Sequence, residues 1–201
     1  MNKPLLALAV VLQWAFGYCI QQQRPLALAF QAASLLLIAM LLLRVPAREW
    51  PTLLGLRWPG GRAGWLGIGL GALLGLGFAM YYRHTAGQPL ALGTLLPFAA
   101  MAAAIGFTEE LLYRGLVYGA LAHTPWRANT LSALAHAGYK FLIFFPILGA
   151  QYWVVGLLTF LVGLLLGYLR TRWQSLWPAL GFHILFDVWV YGDQTAPWWV
   201  Q

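Results

Sequence analysis

Residues 63–82, AGWLGIGLGALLGLGFAMYY, run for twenty positions without an acidic, basic or histidine residue. A helix needs about 20 apolar residues to cross the hydrocarbon core of a bilayer. Only a helix satisfies its own backbone polar groups there, so this stretch is expected to be a transmembrane helix. Its glycines at 67, 71 and 75 recur every four positions and so share one face, a spacing that lets a neighbouring helix approach closely. Gly163 and Gly167 repeat that spacing further along the chain.

Outward from this stretch the pattern continues. Of 201 residues, 61% are hydrophobic and only 8% are charged, with 11 tryptophans, which excludes an ordinary soluble domain. Seven spans are expected: Pro4 to Ile20, Pro25 to Leu43, Ala63 to Tyr82, Leu95 to Leu121, Asn129 to Phe145, Gln151 to Leu169 and Leu176 to Tyr191. The fold class is therefore all-α, a polytopic transmembrane helical bundle of about seven spans, with residues 1–201 forming one integral membrane domain. The apolar N-terminus resembles a signal peptide but has no clear small-residue cleavage site, and is expected to be an uncleaved first span. Between Arg44 and Arg62 the chain mixes Pro46, Pro51 and Pro59 with Trp50 and Trp58, and this break is expected to lie in the membrane interface.

The net charge of +7 does not point to nucleic acid, because the basic residues stand at the ends of apolar runs. They are topology signals. With the N-terminus in the cytoplasm, Lys3, Arg44, Arg48, Arg57, Arg62, Arg127, Arg170 and Arg172 lie inside, against Arg24 and Arg83 outside. The expected location is a membrane, and for a bacterial source the inner membrane. Cys19 is the single cysteine, so neither a disulfide framework nor a cysteine metal cluster exists.

Ionisable residues inside the spans are costly in hydrocarbon and therefore usually mark function. They gather on three expected helices: Glu109, Glu110 and Arg114 on the fourth, His136 and Lys140 on the fifth, His183 and Asp187 on the seventh. Residues four apart share a helix face, so Glu110 can pair with Arg114, which leaves Glu109, about 100° around the helix, to face elsewhere. His183 and Asp187 share a face by the same spacing. Helical rise allows Glu109, His136 and His183 to meet at similar depth. His84 and His123 fall at span ends and are expected at the interface, whereas Lys140 suits either a counter-charge to Glu109 or a snorkelling side chain. A carboxylate with two imidazoles in a confined cavity suits hydrolysis, with the carboxylate taking a proton from water and neighbouring donors holding the oxyanion. Zinc on Glu109, His136 and His183 is the alternative chemistry, although the H-E-x-x-H signature is absent, as is G-x-S-x-G.

The run Glu109-Glu110-Leu111-Leu112-Tyr113-Arg114-Gly115, followed by helices bearing His136 and His183, resembles the CAAX protease and bacteriocin-processing family of membrane proteins, which includes type II CAAX prenyl endopeptidases and lysostaphin-resistance-like proteins. The resemblance covers residues 95–191 as a catalytic core. It implies that Glu109 activates water with help from His136, that Arg114 holds Glu110, and that His183 and Asp187 bind the oxyanion or orient the water, without metal or other cofactor. The chain departs from the pattern twice: Ser132 stands where the family has phenylalanine, a packing position, and Asp187 stands where an amide is common. An ionised Asp187 has no proton to donate to an oxyanion, so it is either protonated or orients His183. The implied activity is a glutamate-type intramembrane endopeptidase cleaving near the C-terminus of a lipid-modified or membrane-tethered protein or peptide. Sorting of proteins with C-terminal tails, and a non-proteolytic bacteriocin-immunity scaffold, are the alternatives. The expected partners are membrane lipids and a peptide or protein substrate, with no nucleic acid.

Overall fold

The computed structural model describes residues 2–20, 22, 24–58, 60–90, 95–96, 98–145, 148 and 152–194; Pro59 and Gln151, the latter the expected start of the sixth span, lie outside them. Among the described residues the structure is helical and holds no strand. The helices are α1 (Lys3–Cys19), α2 (Arg24–Leu43), the short α3 (Trp50–Leu53), α4 (Gly61–Thr85), α5 (Phe98–Glu110), α6 (Tyr118–Leu121), α7 (Pro125–Phe144), α8 (Tyr152–Trp173) and α9 (Trp177–Tyr191). Six of the seven expected spans match a helix closely. The fourth falls on α5, a π-helical segment over Leu111–Val117 and α6, which follow one another from Phe98 to Leu121 without a non-helical residue.

Three helices, α2, α4 and α8, are long and apolar enough to cross a membrane. The helices in the place of the other expected spans are shorter, as are α1, α5 and α9, or more polar, as is α7. Leu36, Leu73 and Leu161 are 63%, 70% and 51% exposed on these three long helices. So much exposed leucine is unfavourable in water and at home against lipid tails. The protein is an integral membrane protein.

The chain forms two compact units, one of residues Met1–Leu54 and Leu112–Tyr168, the other of Gly55–Leu111 and Leu169–Gln201. In the first, α1 packs on α2 and α7, and α6 packs on α7. Ser34 in α2 donates to the Ala9 carbonyl at 2.8 Å, and Trp14 Nε1 donates to the Ala135 carbonyl at 2.8 Å. Gly167 on α8 leaves room for Asn129, whose amide donates to the Leu164 carbonyl at 3.0 Å.

In the second unit α9 packs on both α4 and α5. The glycine stripe of α4 makes this approach possible. A Cβ at Gly71 would stand 2.0 Å from the Pro178 carbonyl oxygen, one at Gly75 would stand 2.2 Å from that of Phe182, and one at Gly67 would meet the Trp173 ring at 2.6 Å. The far ends of α4 and α9 are tied by Arg83, only 1% exposed. Its Nη2 meets Asp193 Oδ2 at 2.7 Å, Nη1 donates to Asp193 Oδ1 at 3.2 Å and to the Trp189 carbonyl at 3.0 Å, and Nε donates to the Pro89 carbonyl. A buried guanidinium needs this many acceptors, and a bidentate carboxylate supplies the strongest pair. The hydrogen bond from Arg83 holds the Asp193 carboxyl below its ordinary value.

Two outcomes follow from these contacts. Gly75→Ala, which meets backbone, should cost about 1–3 kcal/mol in thermal or denaturant unfolding in detergent, whereas Gly77→Ala, with nothing within 4 Å of its Cβ, should be neutral or slightly stabilising. Because Asp193 has its pKa lowered in the folded state, the Arg83 tie contributes fully above the unfolded carboxyl value of about 3.9. It is lost as pH falls through the lower folded value. Melting curves of Asp193→Asn and the parent should therefore differ above about pH 4 and converge in stronger acid.

Candidate active site

The second unit carries Glu109, Glu110, His183 and Asp187. Glu109 and Glu110 end α5, one helical turn after Gly106, while His183 and Asp187 stand one turn apart on α9. All four side chains are buried. His183 lies between the two glutamates: Nδ1 is 2.9 Å from Glu110 Oε1, and Nε2 is 3.4 Å from Glu109 Oε2. Asp187 Oδ2 stands 3.6 Å from the same Nε2, beyond hydrogen-bond length.

These distances divide the work among the carboxylates. With Nδ1–H donating to Glu110, the ring orientation is set by Glu110, and Nε2 faces Glu109 and Asp187. A carboxylate on one imidazole nitrogen orients the ring and selects the tautomer, as in other carboxylate–histidine pairs. Spacing alone offered Arg114 as the partner of Glu110; the structure places His183, 73 positions away, on Glu110 Oε1. Orienting His183 was one of the two alternatives open for Asp187; in the structure Glu110 makes the shorter contact with the ring.

Gly106 keeps this corner open. A Cβ there would fall 3.0 Å from Asp187 Oδ2 and 3.4 Å from His183 Cδ2. Two polar atoms 3.4 Å apart, such as Glu109 Oε2 and His183 Nε2, can both hydrogen-bond one water beside them.

In the first unit, His136 on α7 stacks on Tyr113 of the π-helical segment, with ring centroids 4.7 Å apart and planes at 18°. Arg114 Nη1 stands at hydrogen-bond distance from His136 Nδ1, and both residues are buried. Room for the guanidinium comes from Gly163 on α8, where a Cβ would lie 2.7 Å from Arg114 Nη2. The Lys140 ammonium lies 5.4 Å above the Tyr139 ring, a cation–π placement. His84 and His123 are exposed.

Sequence reasoning missed the part played by Ser132, whose hydroxyl donates to the Tyr113 carbonyl at 2.8 Å. A π turn disturbs the i→i−4 ladder, and such turns are common at functional sites. A side-chain hydroxyl can satisfy a carbonyl there, and phenylalanine cannot. The only sequence signal was the departure itself, a small polar residue at a packing position. Arg83 was missed as well, being read as a span-end charge.

A family model described as type II CAAX prenyl endopeptidase, Rce1-like, matches residues 91–189. Through these residues the chain belongs to that family. The Rce1-like segment contains Glu109, Glu110, Arg114, Ser132, His136, His183 and Asp187. Its family is one of membrane proteases, which act on peptides or proteins in a lipid environment. No curated protein and no solved structure matches the chain.

The Ser132 hydrogen bond makes its own prediction. Ser132→Ala should destabilise by about 1–3 kcal/mol, because the buried Tyr113 carbonyl loses this donor. Unfolding in detergent reads the loss, and an unchanged midpoint would show that the hydroxyl contributes nothing there.

Proposed function

We propose that this protein is a glutamate-type intramembrane endopeptidase, cleaving near the C-terminus of a lipid-modified or membrane-tethered protein or peptide. The observation that carries the reading is His183 held between Glu110 on Nδ1 and Glu109 on Nε2. In the proposed step one water donates to Glu109 and to His183 Nε2, which aims its oxygen lone pair at the scissile carbonyl. Glu109 takes one proton as the oxygen adds to that carbon. Collapse of the tetrahedral intermediate breaks the C–N bond, and Glu109 returns the proton to the departing amine. Asp187, on the Nε2 side of the ring, serves as a protonated donor to the oxyanion, in the place where the family has an amide. His136 joins the reaction through the family pattern, and Arg114 beside it fixes its ring.

The donor set of Glu109, His136 and His183 also has the chemistry to hold zinc, which when bound would supply a Lewis acid and an activated water. The proposed reaction runs without it. The N-terminus is proposed to be cytoplasmic, on the excess of arginine and lysine in the loops of that side.

A cleavage assay in proteoliposomes tests the reading. Glu109→Gln and His183→Ala should each lower kcat by about 100-fold or more, and His136→Ala should do likewise, while circular dichroism stays unchanged. Full activity in both the Glu109 and His183 variants would defeat the proposal. Asp187→Asn should stay within about tenfold of the parent, since an amide also donates. A collapse as deep as that of Glu109→Gln would make Asp187 a base instead. A chelator should leave the rate intact, and loss restored by added zinc would transfer the chemistry to a metal.

A further inference from the structure

The end of the second unit remote from Arg83 carries a charge pattern that proteolysis does not use. Arg57, Arg62 and Arg172 are all exposed there and come from two segments of chain, the stretch that enters α4 and the last turn of α8. Those segments are tied together by hydrogen bonds. Ser175 Oγ donates to the Arg57 carbonyl at 2.9 Å, Trp173 Nε1 donates to the Ala63 carbonyl at 3.0 Å, and the Leu176 amide donates to the Gly55 carbonyl at 2.6 Å. Gly55 has φ +71, a conformation that side chains resist, and a Cβ there would also stand 2.9 Å from the Arg170 guanidinium. Beside Arg57 in the chain, Trp58 packs edge-on against Trp65 and Trp177, with centroids 5.0 Å apart in each pair.

Two further features raise the positive potential. Helices α4 and α9 both begin at this end, and neither has an acidic residue in its first turn or a side-chain cap. Helix N-termini carry partial positive charge. In this unit the acidic residues are Glu109, Glu110 and Asp187, buried around His183, and Asp193, bound to Arg83 after the far end of α4. The 25 residues of α4 put Asp193 about 37 Å away, several screening lengths in physiological salt. Among the described residues of its own unit, the patch therefore has no acidic side chain to neutralise it.

We infer that Arg57, Arg62 and Arg172 form a binding surface for the headgroups of anionic phospholipids. Tryptophans seat the surface at headgroup level, as amphipathic rings do at membrane interfaces. The arginine forks match phosphate oxygens in pairs. A phosphodiester headgroup with a net negative charge satisfies both the arginines and the helix ends, whereas a zwitterionic one brings its own cation into the same field.

Native mass spectrometry of the full chain in neutral detergent provides the test, with phosphatidylglycerol and phosphatidylcholine of identical acyl chains. The parent should retain phosphatidylglycerol preferentially. Arg57→Gln, Arg62→Gln and Arg172→Gln together should weaken its retention by about 100-fold, roughly fivefold per arginine, and bring it near that of phosphatidylcholine. The triple Arg→Lys variant should keep most of the preference. Arg44→Gln, Arg48→Gln and Arg127→Gln together, a charge-matched change in the other unit, should leave it intact. Should the triple glutamine variant fail to fold, Arg62→Gln alone, on an exposed first turn, should lower retention about fivefold. Equal retention of both lipids by the parent, or an undiminished preference in the glutamine variants, would overturn the inference. So would displacement of phosphatidylglycerol by inorganic phosphate at equal concentration, which would mark a free-anion site.

Discussion

The close approach of α4 to α9 governs the second unit. Backbone meets backbone at Gly71 and Gly75, where any side chain would collide with the carbonyls of Pro178 and Phe182. In a bilayer the hydrophobic effect does not press helices together, because lipid is as apolar as leucine, so contact depends on packing, hydrogen bonds and close fit. The glycine stripe fixes how near α9 can come and, by meeting the carbonyls of residues 178 and 182, its rotation about its own axis. That rotation turns His183 and Asp187 toward α5. The Arg83 tie then holds the far ends of the same two helices.

Such precision matters because the site is electrostatically expensive. Three buried carboxylates surround one imidazole, and a buried charge is tolerable only when its partners are well placed. The 2.9 Å contact of Glu110 with Nδ1 meets that demand, while Glu109 and Asp187 stand farther off, at 3.4 Å and 3.6 Å from Nε2. In this division one carboxylate orients the imidazole and two share its other face. A membrane protease needs to bring water to a place where water is scarce, and polar groups arranged in this way are what would hold it.

Much of this was legible beforehand. Span limits read from apolar runs match α1, α2, α4, α7, α8 and α9 within a few residues, since in hydrocarbon a helix is the only local solution. The stretch from Leu95 to Leu121 was not legible in detail. Its apolar composition is compatible with one long helix, and nothing local announces a π segment at Leu111–Val117. That segment is supported from another helix, by the Ser132 hydroxyl, and such support is invisible to any window of sequence.

The sequence by itself determined the solvent, the helical class, the glycine faces and the short roster of ionisable residues that hydrocarbon would tolerate only for a purpose. Local spacing could say which of these share a helix face, because that depends on 3.6 residues per turn and nothing else. It could not say which face meets which helix. Tertiary structure alone decided that Glu110 orients His183, that Arg114 stands beside His136, and that Arg83 is a buried tie to Asp193. Each pair lies between 22 and 110 positions apart. The physical reason is the same in every case: a helix's rotation is set by what it packs against, and that is a property of the assembled bundle.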